Sequence, residues 1–466
     1  MLRQVVTTSV LLAMIGTKAS AVVPLYNAHQ LQARSNFNGA FNLPNSAFFS
    51  NLTASIDDRR QVAFKLSVLP APNSNSQGLW FGGNGSGQIE HIGPSGASFS
   101  DMRHNENGLI VFQQSFSSEN GLWIYNSNTD TAARETTMPL GATSWESPII
   151  NDQNQIGYRV DFGFNGQTFY SYDPAGPSTA LHAAEVGVLP GSPYSFLFTP
   201  SFNNARQIAG KVRLGGPGQI GDDQPDEIRL FNSDGTSTLI AEDIDSDPLS
   251  PYDRFDNSVA PTDDGRVAFI ATLVGGGRGV YLSDGTTTVE IVNENTSAVV
   301  DNIEFFGPAV NDNGLVAFRA FDDLGLRAIW VGDGATLTRV VREHDIVRTD
   351  LGNARIDQND SSPVFGGSVT VNICGDLVFN AALTPPDNNQ IEWGSGVFVA
   401  RASLKGDMNA DGELDIDDVA PFTLSLLDST AYFSTFPLCA FDNGDINSDS
   451  EHDGMDIQLF IDLLTN

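Results

Sequence analysis

The chain has 466 residues, with 57 acidic against 24 basic side chains and a formal net charge of −33. So acidic a chain repels phosphate backbones, and its four lysines (Lys18, Lys65, Lys211 and Lys405) form no basic patch, which excludes a nucleic-acid or anionic-lipid partner. Charged residues are only 17%, while glycine reaches 45 and phenylalanine 30, a composition of short strands and tight turns around a sizeable core.

At the N-terminus, Arg3 precedes an apolar run from Val5 to Ile15, and Ala19-Ser20-Ala21 fits the small-residue rule for cleavage. Residues 1–21 therefore read as a signal peptide. The run is too short to cross a bilayer, which takes about 20 apolar residues. No later segment is long and apolar enough to span, so the expected location is secreted, extracellular or at the cell surface.

Residues 22–402 repeat one pattern, clearest in Asn311-Asp-Asn-Gly-Leu-Val-Ala-Phe318 and Thr262-Asp-Asp-Gly-Arg-Val-Ala-Phe269. Further copies begin at Asp57, Asn105, Asn151, Asn203 and Asn372, making seven about 52 residues apart. Each has an Asn/Asp/Gly turn, an apolar strand such as Val316-Ala-Phe-Arg-Ala320, a second strand, an Asp-Gly hairpin turn and a third strand. A short strand before each turn makes four. Seven four-stranded units describe a β-propeller, because stacking sheets around an axis buries both faces and removes most bare edges. The last copy lacks its outer strand after Gly396–Arg401, and the apolar segment Val22–Asn27 is expected to supply it and lock the ring. The Asn/Asp turns read as tight-turn chemistry rather than metal loops. Asp243, Asp245 and Asp247 lack the glycine and distal carboxylate of a calcium loop. Trp80, Trp123, Trp330 and Trp393 fall on second strands and read as core. Glu146, Glu185 and Glu304 read as surface carboxylates. Cys374 and Cys439 are too few for a disulfide scaffold, and whether they pair is left open.

From Gly406 to Asn466 there are 14 Asp or Glu and no Lys or Arg. Two copies of one ligand pattern lie there, offset by 38 residues. The first is Asp407, Asn409, Asp411, Glu413 (through its carbonyl), Asp415 and Asp418. The second is Asp445, Asn447, Asp449, Glu451, Asp453 and Asp456. These fill positions 1, 3, 5, 7, 9 and 12 of a calcium loop, the hard-oxygen set that Ca²⁺ takes, so two Ca²⁺ ions are expected. Gly412 allows the sharp turn at position 6 of the first loop. Ser450 and His452 stand where the second would have glycine and an apolar residue, which makes it the weaker site. An amphipathic helix follows each loop: Val419, Phe422 and Leu426 match Ile457, Phe460 and Leu464.

This tail resembles a type I dockerin, a small α-helical, EF-hand-like module of paired calcium loops. Asp415-Ile-Asp417 followed by Pro421-Phe422 looks like the variant of secreted planctomycete proteins, in which a cysteine often stands where this chain has Ala410. The upstream copies resemble the N-x-x-G-x-x-A-F tandem repeats of secreted bacterial proteins, a family with no agreed activity. The resemblance implies a cohesin-type partner on a scaffold or cell surface, contacted through loop positions 10 and 11, here Ile416, Asp417, Gly454 and Met455. Ile416-Asp417 departs from the small or hydroxylated residues of the best-known dockerins.

No G-x-S-x-G elbow, H-E-x-x-H helix or phosphate-cradling glycine loop is present, and no catalytic residue is assigned. The expectation is a mainly β protein. A seven-bladed propeller (22–402) binds a polysaccharide or protein, and the calcium-loaded tail (406–466) holds it in an extracellular assembly. The alternative is a dockerin-borne enzyme of polysaccharide catabolism, a glycoside hydrolase or lyase with its site in the propeller funnel.

Overall fold

The computed structural model describes residues 23–36, 40–69, 75–115, 120–137, 141–359, 363–449 and 451–465; the expected signal peptide lies outside them. Seven antiparallel sheets follow in chain order. Each of the first six copies contributes a first strand, then three more reached by hairpins; in blade 6 these are Val316–Asp322, Arg327–Gly332 and Leu337–Arg342. The first strand is broken in most blades: Val300–Ile303 and Ala309–Val310 both pair with Val316–Asp322, with Glu304–Pro308 bulging between them.

Apolar alternation along these strands fills the spaces between neighbouring blades. Phe318 and Trp330 of blade 6 share a cluster with Ile270, Val280 and Leu282 of blade 5. Trp80 and Trp330 are buried as expected, while Trp123 and Trp393 are half-buried against the core. The ring closes as the missing outer strand required. Leu25–Ser35, longer than the sequence suggested, runs antiparallel to Gly394–Ser403 and completes blade 7. Blade 7 also carries an extra hairpin, Ile346–Thr349 with Gly352–Ile356.

Many of the scarce cations sit between blades, buried or half-buried. Lys65, Arg159, Lys211, Arg278 and Arg319 each donate to a backbone carbonyl of the next blade's first strand or the bulge beside it: Phe99, Leu197, Phe255, Ile303 and Gly367. The surface reading of Glu185 and Glu304 is therefore corrected, and Glu146 is half-buried. Glu304 is buried between Arg319 and Arg327, Glu146 pairs with Arg159, and buried Glu185 accepts from the Leu197 N–H. Burying so many cations leaves carboxylates needed inside as counter-charges.

The tail packs as a small helical unit. Helices α1 (Val419–Leu427) and α3 (Ile457–Thr465) follow the two loops as expected, and a short α2 (Ser429–Phe433) with a 3-10 segment, Leu438–Gly444, joins them. Phe422 and Phe460 stack at 4.0 Å between ring centroids, over Met408 and Tyr432. The open cysteine question is resolved: Cys374, in a blade-7 turn, bonds to Cys439 in the 3-10 segment. Arg60 reinforces the clamp, bridging Asp376 of blade 7 and Asp442 of the tail and donating to the Cys439 carbonyl. The tail is thus fastened to one end of the propeller. No helix among the described residues is long and apolar enough to cross a membrane.

Candidate functional site

The Asn/Asp turns are tight turns, as expected, but they also converge. In all seven the fourth residue is left-handed, with φ between 58° and 88°: Arg60, Gly108, Asn154, Arg206, Gly265, Gly314 and Gly375. That requirement explains the glycine or asparagine of the motif. The first side chain of each turn accepts from a backbone N–H four residues on, as Asn311 does from Leu315. Where it is asparagine it also donates to the first carbonyl of the next turn: Asn105 to Asn151, Asn151 to Asn203, Asn203 to Thr262, Asn311 to Asn372 and Asn372 to Asp57. Asp57 and Thr262 have no amide with which to continue the ring.

The second residues form a parallel ring. The N–H of Asp58 donates to Glu106, Glu106 to Asp152, Asp152 to Asn204, Asn204 to Asp263, Asp263 to Asp312, and Ile373 back to Asp58, at 2.6–3.0 Å. Together with a layer of mostly apolar side chains just inside, these rings line an axial cavity of about 220 Å³. His104 is the polar member of that layer: its Nδ1 meets Ser55 Oγ at 2.8 Å, and its Nε2 lies 3.7 Å from Asp57. Burial and the surrounding carboxylates push Asp58 up to about 7, Glu106 to about 9 and Asp312 to about 6. The sequence carried the turns but not their meeting, because no local pattern says that points about 52 residues apart share one axis.

The two tail loops fold alike. Ala410 and Ser448, at position 4, are both left-handed. Asn409 accepts from the Asp411 N–H and Asn447 from the Asp449 N–H. The last aspartates are fully buried: Asp418 accepts from Met408, Asn409 and Asp415, and Asp456 from Asn447 and Asp453. Glu413 and Glu451 are fixed by N–H bonds to Asp411 and Asp449, and the Asp415 and Asp453 side chains cap the N–H groups of Asp417 and Met455. Asp407 is 3% exposed, and among the described residues its Oδ1 has no hydrogen-bond partner. Burial, then Asp418 and Asp411, raise the Asp407 carboxyl to about 7. A buried, unpartnered oxygen facing two further carboxylates is what a divalent cation would satisfy, so the donor set fits calcium chemically. Among the described residues, one trio of histidine and carboxylate side chains brings ligand atoms within 4.8 Å of one another, Glu343, His344 and Asp357 at the passage from blade 6 to blade 7, and there Arg355 already pairs with Asp357 at 3.2 Å.

Ile416, Asp417, Gly454 and Met455 are all exposed, at the N-terminal ends of α1 and α3. Between those helices lies an apolar groove of about 520 Å³ lined by Val419, Leu427, Ile457 and Ile461. Asp243, by contrast, spends its carboxylate on the N–H groups of Asp226 and Ser246, an ordinary turn-capping role.

A family model described as a family of unknown function (DUF7453) matches residues 219–414, less than half of the chain. No curated protein matches. Similar solved structures include the β-propeller domain of the Trilobed protease from Pyrococcus furiosus, at 14% identity and TM-score 0.49, covering 76% of this chain and 95% of that one. An acylaminoacyl peptidase from Pyrococcus horikoshii is similar at 13% identity and TM-score 0.45, covering 71% of this chain and 51% of its own. An oligogalacturonate lyase from Vibrio parahaemolyticus gives 8% and 0.45, covering 82% and 98%. At these scores the blade count rests on the sheet topology of the chain itself.

Proposed function

We propose that this is an exported, non-enzymatic binding protein. Its propeller carries a polysaccharide or protein ligand, and its dockerin-like tail binds two Ca²⁺ ions and docks on a cohesin-type partner. The observation that carries this reading is the matched pair of tail loops, with one hydrogen-bonding scheme, one buried terminal aspartate each, and the unpartnered Asp407 Oδ1. Asp407, Asn409, Asp411, Glu413, Asp415 and Asp418 would hold one ion, and Asp445, Asn447, Asp449, Glu451, Asp453 and Asp456 the other. When bound, calcium supplies positive charge to a segment holding 14 carboxylates and no Lys or Arg, so binding free energy becomes folding free energy. At a free concentration a hundredfold above Kd each site would gain about 2.7 kcal/mol. The exposed Ile416, Asp417, Gly454 and Met455, beside the apolar groove, are the surface offered to the partner. A disulfide between Cys374 and Cys439 suits the oxidising surroundings that export implies.

Equilibrium dialysis of the full chain against ⁴⁵Ca²⁺ tests the tail: two ions per chain are expected, and none at millimolar calcium removes the docking reading. Release of reducing ends from a polysaccharide would move the propeller into the enzymatic class.

A further inference from the structure

The tail occupies the end of the propeller that holds the Asn/Asp turns, which leaves the opposite end free. On that free end a cleft of about 370 Å³ opens between blades 4 and 5, reached from blade 6 by Phe305. Its walls are the loop after Ile208–Leu214, the connection from the outer strand of blade 4 to the first strand of blade 5, and the bulge Asp256–Ser258.

Two features distinguish this cleft from the axial cavity. The first is Phe305, 80% exposed, a cost that a lone aromatic on a bulge does not recover within the fold. Its ring is held in place: the Arg278 guanidinium lies 3.9 Å from the centroid, and Arg278 is itself fixed by the Ile303 carbonyl and Asp256. One face is thereby supported and the ring still meets solvent. The second feature is the sorting of charge. Lys211 and Arg213 are buried and consumed by Asp226 at 2.8–2.9 Å. What reaches solvent is a mixed set of donors and acceptors: Asp222, Asp245, Asp253, Arg254 and Asn257, with Arg254 paired to Asp253 at 3.0 Å through one of its nitrogens.

An open aromatic ring beside alternating carboxylate, guanidinium and amide groups matches a pyranose, which has an apolar C–H face and an equator of hydroxyls that both donate and accept. The solvent-facing charge is negative on balance, so uronates are disfavoured. We propose that this cleft is the ligand site of the propeller and that it takes a neutral, hexose-based polysaccharide, one ring stacked on Phe305 and its hydroxyls bonded to Asp253, Arg254 and Asn257. This rests on the reading of the propeller as a ligand-bearing module and is independent of the calcium tail.

The test is affinity electrophoresis and calorimetry of the full chain with laminarin, xyloglucan and chitohexaose, with polygalacturonate as the anionic control. A neutral glycan should be retained, and Phe305→Ala should weaken it at least tenfold without moving the melting temperature, since the side chain packs little in the core. Asn257→Ala should weaken it less. If wild type and Phe305→Ala bind alike, the cleft is not the site and the propeller binds elsewhere. If polygalacturonate is preferred, the charge assignment is overturned. If no glycan is retained at all, the ligand-bearing reading of the propeller falls together with the cleft.

Discussion

Within most of the Asn/Asp turns, two side chains do separate jobs. The first holds its own turn and reaches the next blade; the second accepts from the preceding blade. Thr262 marks the gap between blades 5 and 6, where its hydroxyl bonds Asp264 and the Arg266 N–H instead. Thr262→Asn should complete that link and stabilise the propeller by about 1 kcal/mol, whereas Asn203→Ala, which strips partners from Gln207 N–H and the Thr262 carbonyl, should cost about 2 kcal/mol. Urea midpoints at constant m-value would measure both. The ring carboxyls set a pH dependence of definite sign. Asp58, Glu106 and Asp312 hold protons in the folded state well above the ordinary carboxylate range near 4, so the folded chain binds more protons than the unfolded one through that window. Stability is therefore highest below about pH 4 and declines as pH rises from there through the folded values of about 6 to about 9. Glu106→Gln keeps the acceptor for the Asp58 N–H and removes one charge facing Asp58, Asp57 and Asp152. Its melting temperature should match wild type near pH 4 and exceed it at pH 9; equal curves at both ends would contradict the assignment.

At the scale of elements, the loops and helices of the tail were legible because their signals are short-range: ligand spacing within twelve residues, and apolar residues three and four apart. Helix α2 was not, since Ser429–Phe433 is too short to show a period. The two loops differ in their surroundings. Loop 1 lies against the propeller, where Asn313 donates to the Ala410 carbonyl at 2.9 Å, while exposed Asp449 and Glu451 place loop 2 toward solvent. Chelation should release loop 2 and α3 before loop 1 and α1, seen as earlier hydrogen exchange over residues 451–465. Asp418→Ala removes an acceptor from three N–H groups as well as a proposed ligand, and should reduce bound calcium from two ions to one.

For the whole molecule, closure and clamping are the determining features. Blade 7 is built from both ends of the propeller segment, so removing residues 23–36 would bare the edge of Gly394–Ser403 and strip Tyr26 and Leu31 from their cluster; aggregation on expression is the expected result. The Cys374–Cys439 bond closes a separation of 65 residues, worth about 4 kcal/mol in chain-entropy terms. Cys439→Ser should lower the melting temperature, because the closed loop includes Leu377–Thr384 and Gly394–Ser403 of blade 7 as well as the tail, and expose the joint near Leu404–Gly406 to protease, with Arg60–Asp442 slowing but not preventing release.

The sequence by itself determined the number of blades, the strand that closes them, the two acidic loops and the helices behind them. Turn chemistry, strand alternation and ligand spacing act over a dozen residues or fewer, and a missing strand shows as a gap in a regular count. Only the tertiary structure decided that seven turns meet as two interrupted hydrogen-bonded rings, that Glu304 and Arg319 are buried against each other, that Cys374 meets Cys439, and that Phe305 stays in solvent. Each of these depends on where distant segments are brought together around an axis, and burial turns a charge or a thiol from a surface group into a partner only once that neighbour exists.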